Sequence, residues 1–325
     1  MKSWHTVFIL LFVSISLNAQ SAKPDRQVAV TIDDLPGGMA DKLPASQLTA
    51  MTVKLLGTLR DQKIPVVGFV NERKLYRPGE VDERIKLLDM WLDDGFELGN
   101  HTFSHASLNQ IELKDWEDEV VQGESVIRIL LAQHKMRLRY FRHPYLDTGR
   151  DLLTRRKAEE FLTQRGYRIA PVTLDGWDWM FAGLYEDAKQ RNDTALQQQI
   201  VKDYLAYHDA VFAYDEQLSA KVVGYEPKQV LLLHASNLEA DHIGELLDVL
   251  RKRGYRFITL QDALSDPAYG LPDTYVGEEG TGWIEHWAIT QGKIPQGAPV
   301  FPQWVIDRSK TLHLSTGDVS AETQH

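Results

Sequence analysis

The sequence predicts an α/β protein whose parallel sheet curls into a barrel. Three observations carry this expectation. Seven short runs of strand-formers alternate with longer segments of helical period, which implies parallel pairing through right-handed crossovers. The polar clusters fall at the C-terminal ends of those runs, where α/β barrels build their sites. No glycine-rich phosphate loop follows any run, which weighs against a nucleotide fold. An open doubly wound sheet is the alternative.

The chain begins MKSWHTVFILLFVSISLNAQS. Lys2 gives a charged start, Val7 to Leu17 is apolar, and Ala19 is a small residue at a plausible cut. This is the pattern of a secretory signal peptide over residues 1–19. The run is shorter than the about 20 apolar residues of a spanning helix, so no permanent membrane anchor is expected. The mature chain is expected to be exported, either periplasmic or secreted.

The strand runs are Val28–Asp33, Val66–Val70, Phe96–Asn100, Arg139–Arg142, Arg168–Val172, Val230–His234 and Arg256–Thr259. Between them, Pro44–Gln62, Asp82–Asp94, Leu113–Gln133 and Glu239–Gly254 repeat apolar residues at intervals of three and four. The last of these ends in basic residues and Gly254, a good helix stop. Two regions stand outside the alternation. Asp175 to Gln229 is long and holds a helical stretch from Thr194 to Leu218. The tail after Gly270 is rich in Gly and Pro and carries Trp283, Trp287 and Trp304. The expected division is a barrel over residues 27–268 and an extension over 269–325 that packs on it or forms a lid.

Composition narrows the chemistry. A formal net charge of -10 argues against nucleic acid as a partner. There is no cysteine, so any metal site must use histidines and carboxylates. His101 and His105 are four apart, the spacing that places two imidazoles on one face of a helical turn. Two imidazoles and one carboxylate form a common catalytic zinc set. Asp33 and Asp34 end the first strand, and adjacent carboxylates share a site only when something offsets their charge. A divalent metal does so, with one Asp ligating it and the other taking a proton from the water it acidifies. Pro36 and Gly37 also suit a plain turn capped by the acids. Arg142, at another strand end, can hold a base Asp. His234 follows three leucines at a strand end and is a candidate general acid. Trp177 and Trp179 suit the wall of a pocket for a sugar face or an acetyl methyl.

In order, TIDD, HTFSH, RHPY, DGWDW and LLLH resemble the five motifs of the polysaccharide deacetylases, carbohydrate esterase family 4 with the NodB-homology fold. The resemblance spans roughly Val28 to Leu264. It implies a distorted (β/α)7 barrel and removal of acetyl groups from acetylated oligo- or polysaccharide. It implies one divalent metal, usually Zn2+ with Co2+, Ni2+ or Mn2+ as alternatives, held by Asp34, His101 and His105. It assigns Asp33 as general base and His234 as general acid. Arg142 would orient Asp33, and Asp178 or Asp175 would pair with Arg142 or His234. Tyr145 would give its backbone N–H to the oxyanion, and Trp179 and Leu232 would line the acetyl pocket. One position departs: Leu35 replaces the glycine that usually follows the aspartate pair. Leu35 is therefore expected at the pocket rim, where it would narrow the cleft and favour smaller substrates. Hydrolysis of another small C–N amide, and an inactive carbohydrate-binding relative, are the competing readings.

Overall fold

Strand-formers buried on both faces, joined by amphipathic helices, set the scaffold. The computed structural model describes residues 25–314, so the expected leader lies outside the described residues. The strands are β1 (Gln27–Leu35), β2 (Val66–Val70), β3 (Glu97–Asn100), β4 (Tyr140–Phe141), β5 (Arg168–Ile169), β6 (Leu174–Asp175), β7 (Gln229–His234) and β8 (Arg256–Phe257). Seven run parallel in the order β5-β4-β3-β2-β1-β7-β6, and β8 pairs with the start of β1. The result is a curled parallel sheet, the distorted seven-stranded barrel that the resemblance implies.

All seven expected runs contain strands. β6 is an addition; two residues are too few to show an alternation. The run from Arg168 ends at Ile169 because the chain there changes partners. Ala170 N–H still donates to Phe141 on the β4 side, whereas Thr173 N–H donates to Val230 of β7. Consecutive strands β5 and β6 thus lie at opposite ends of the sheet, and a seam runs between them.

The segment after Gly270 fills that seam. Trp283 N–H donates to the Val172 carbonyl at 2.7 Å. Trp283, Ile284 and Trp287 pack with Leu146, Val172 and Leu232. Arg155 and His286 both engage Asp273, at 2.6 and 2.9 Å, and so tie the segment to the barrel. The long helix Thr194–Val223 packs beside it, capped by Asp193 at its start and by Gly224 at φ 92° at its end.

Two expectations change. Leu113–Gln133 is two helices, Leu113–Gln122 and Ser125–Gln133, broken at Gly123. A Cβ at Gly123 would stand 2.7 Å from the backbone of Thr102 and Phe103, so the glycine admits the loop that carries His101 and His105. Leu35 is not at the rim. It is 1 % exposed and packs in the core against Gly68, where a Cβ would come within 2.3 Å of its Cδ1. Gly68→Ala should therefore overpack this layer and cost about 1–3 kcal/mol, read by urea unfolding. An unchanged midpoint would show that the layer can yield.

Candidate active site

β1 delivers two adjacent acids to one cavity, although neighbours on a strand ordinarily face opposite ways. The chain departs from strand geometry to do this. Asp34 has φ 72°, a left-handed conformation that Asp tolerates better than most residues, and the β1–β2 register shifts between Ile32 and Leu35. Both carboxylates then line a cavity of about 950 Å³, while Leu35 turns to the core.

His101 and His105 also face it, but not from a helical turn. They sit on an irregular loop in which Thr102 has φ 59° and His105 φ 65°. His101 N–H donates to Val70, the Asn71 amide donates to the His101 carbonyl at 2.6 Å, and Phe103 N–H donates to Glu119. The two rings meet edge-on with centroids 4.8 Å apart. Asp34, His101 and His105 bring ligand atoms within 4.8 Å of one another.

These donors fit a divalent metal. His101 Nδ1 lies 2.8 Å from the Arg142 carbonyl, which fixes its proton there and leaves the Nε2 lone pair free. Burial drives His101 well below its ordinary range and His105 down to about 4, keeping both imidazoles neutral, the ligating form. Against the cost of burial, Lys74 and His105 hold the Asp34 carboxyl well below the usual range. The Lys74 ammonium stands 3.0 Å from Asp34 Oδ1, a cation at the rim of the same anionic site.

Asp33 is buried on the other side of this cluster. Arg142 reaches its Oδ2 at 3.3 Å and is itself fixed by the Ala170 carbonyl at 2.7 Å and Thr31 Oγ1 at 2.9 Å. Burial pushes the Asp33 carboxyl up to about 6, against the pull of Arg142 and His234. His234, opposite Asp33 in the β1–β7 register, is gripped by Asp178. Asp178 Oδ2 accepts the His234 backbone N–H, and its Oδ1 takes Nδ1, each at 2.7 Å. Burial opposes the charge on His234, but Asp178, with Asp34 and Asp33 behind it, holds the imidazole up to about 10. The structure thus resolves the pairing: Arg142 goes with Asp33, and Asp178 with His234.

Tyr145 stands over His105, ring centroids 4.4 Å apart, in a turn where Tyr145 and Leu146 have φ 57° and 58°. Gly280 of the C-terminal segment presses on this turn; a Cβ there would be 2.3 Å from the Tyr145 carbonyl. Trp177, Trp179 and Leu232 line the cavity, with the two indoles stacked 6.1 Å apart. Asp175 accepts the Trp177 N–H at 2.9 Å and faces the cavity too. Sequence reasoning missed Lys74, Asp215 and Glu285, which also line it. Lys74, just past the end of β2, carried the strand-end signal; the other two, in a long helix and in the tail, carried none.

A family model described as polysaccharide deacetylase matches residues 20–164. The matched region supplies Asp33, Asp34, His101, His105, Arg142 and Tyr145. Asp178 and His234 lie beyond it: His234, at the end of β7, lines the same cavity, and Asp178, at the start of the helix Asp178–Gln190, is buried behind it. Among solved structures, the chain is similar to a polysaccharide deacetylase from Bacillus cereus, at 17% identity over 72% of this chain and 91% of that one, TM-score 0.49. It is similar to a family 4 carbohydrate esterase from Streptomyces lividans in complex with acetate, at 19% identity over 73% and 95%, TM-score 0.44. A family 4 pseudoenzyme from Bacillus anthracis is also similar, at 16% identity over 75% and 66%, TM-score 0.47.

Proposed function

We propose that the chain is an exported, metal-dependent hydrolase that removes acetyl groups from N-acetylated or O-acetylated carbohydrate. The observation that carries this reading is the convergence on one cavity of three parts. These are the Asp34–His101–His105 cluster, the Asp33–Arg142 pair and the His234–Asp178 pair. The signal-peptide pattern read over residues 1–19 is what supports export.

Asp34, His101 and His105 would hold the cation, with zinc first among the metals that such a donor set accepts. A cation there supplies Lewis acidity, polarising the acyl oxygen and acidifying water. Asp33 takes the proton from the attacking water, and Arg142 keeps its carboxylate aimed. The Tyr145 N–H donates to the oxygen that gains charge. His234, protonated and oriented by Asp178, gives its proton to the leaving nitrogen or oxygen. Leu232 and the stacked indoles bury the acetyl methyl and a sugar face.

The test is acetate release from N-acetylated chito-oligosaccharide before chelation, after chelation and after zinc return. Chelation should stop release and zinc should restore it. His101→Ala should lose metal, by elemental analysis, together with activity. Release that survives both chelation and His101→Ala would sink the metal reading. No release from any acetylated glycan would sink the substrate class.

A further inference from the structure

Several carboxylates that this chemistry does not use also line the cavity, and three of them act on one another. Asp175 ends β6, Asp215 comes from the helix Thr194–Val223, and Glu285 from the helix Trp283–Thr290. Among the described residues none of the three forms an ion pair. Asp215 is only 5 % exposed, faces the cavity and has no hydrogen-bond partner among those residues. Arg142, whose charge reaches Asp175, is already held by Asp33, Thr31 and the Ala170 carbonyl. Buried carboxylates without a cation are costly to ionise. Accordingly, burial pushes Glu285 up to about 7 and Asp175 up to about 6. The three act on one another: Glu285 and Asp175 both raise Asp215.

A positively charged ligand completes this arrangement, and its size can be argued. Among the described residues only Asp34, His101 and His105 converge as closely as one metal ion requires. Three acids spread further apart suit a primary ammonium, whose N–H donors diverge. Depth gives the second constraint. Asp33 is in register with His234, and Asp175 with Leu232, two residues earlier on the same strand. Asp175 therefore lies about 7 Å deeper than the Asp33–His234 level. Leu232 stands at that depth, on the side assigned above to the acyl group. Three bonds from carbonyl carbon to nitrogen span about 4 Å, and a charge-assisted hydrogen bond adds about 3 Å.

We infer that Asp175, Asp215 and Glu285 form a cation subsite for an acyl group that ends in a primary ammonium, of the β-alanyl kind. The inference rests on the deacylation reading for which end of the substrate enters. Water adds to the carbonyl and the amide C–N bond breaks. The amino acid leaves from the deep side, and the amine, protonated by His234, from the mouth.

The test compares N-β-alanyl-glucosamine with N-butanoyl-glucosamine, which differ by NH3+ in place of CH3. Wild type should show a kcat/KM at least about tenfold higher for the β-alanyl compound. Asp215→Asn and Glu285→Gln, both isosteric, should each collapse that ratio towards one. Calorimetry on Asp33→Asn protein, which prevents turnover, compares β-alaninamide with butanamide. Tighter binding of β-alaninamide, weakened by adding Asp215→Asn, is expected. Hydrolysis of acetylated glycan with no charge preference overturns the subsite and leaves the deacetylase reading intact. If neither acetylated glycan nor amide is hydrolysed but β-alaninamide still binds preferentially, the deacetylase reading falls and the subsite stands. Equal binding of the two amides overturns the subsite. So does saturable magnesium or calcium binding lost in Asp215→Asn, which would make it a metal site.

Discussion

Asp33→Asn is expected to lower kcat for acetate release about 10²–10⁴-fold, the usual share of a general base, while metal content stays unchanged. The carboxylate lies beside the ligand cluster, its Oδ2 3.6 Å from His101 Nε2, and is not itself in the ligand set. Its Oδ2 accepts from Arg142, and an amide oxygen can keep that bond, so the variant should fold. What the amide lacks is a basic lone pair for the proton of water. Arg142 then keeps a hydrogen bond but loses a counter-charge, although Asp175 still acts on it. Circular dichroism and elemental analysis check fold and metal; an acetate assay near wild-type rate would remove Asp33 from the role of base.

Asp178→Asn should act through His234 and be read in the pH profile. Burial alone would lower the imidazole; the charge and hydrogen bond of Asp178 reverse this and, with Asp34 and Asp33, raise it to about 10. A raised histidine stays protonated up to that value, so the wild-type enzyme keeps its acid well into the alkaline range. Without the Asp178 charge, the alkaline limb of kcat/KM should move down by about 1–3 units. Glu239, buried behind Asp178 and bonded to Tyr204, remains as a weaker neighbour. The same pair contributes stability fully below the unfolded histidine pKa of about 6.5. That contribution is lost as pH rises through about 10, so the stability gap between wild type and Asp178→Asn should close across that window. An alkaline limb that does not move would mean that Asp178 only packs.

Much of this site was legible because barrels place chemistry at strand ends, and strand ends can be found from short apolar runs. Asp33, Asp34, His101, Arg142 and His234 all follow from that rule and from the order of the motifs. The residues it missed reach the cavity from elsewhere. Asp215 sits on a helix outside the strand–helix alternation, and Glu285 on a segment that closes a seam no local pattern announces. The His101–His105 spacing suggested a helical turn, yet the rings converge through a loop with two left-handed residues, admitted by Gly123. Spacing alone does not distinguish these two routes.

The sequence by itself determined the parallel sheet, the polar groups at its mouth and the ligand types available to a metal. Periodicity and composition are local properties, and burial enforces them. The tertiary structure alone decided which way each side chain of the aspartate pair points. A left-handed Asp34 and a shifted β1–β2 register turn both acids into the cavity and send Leu35 to the core against Gly68. That outcome depends on how β1 meets β2, a non-local contact that no spacing within the first strand encodes.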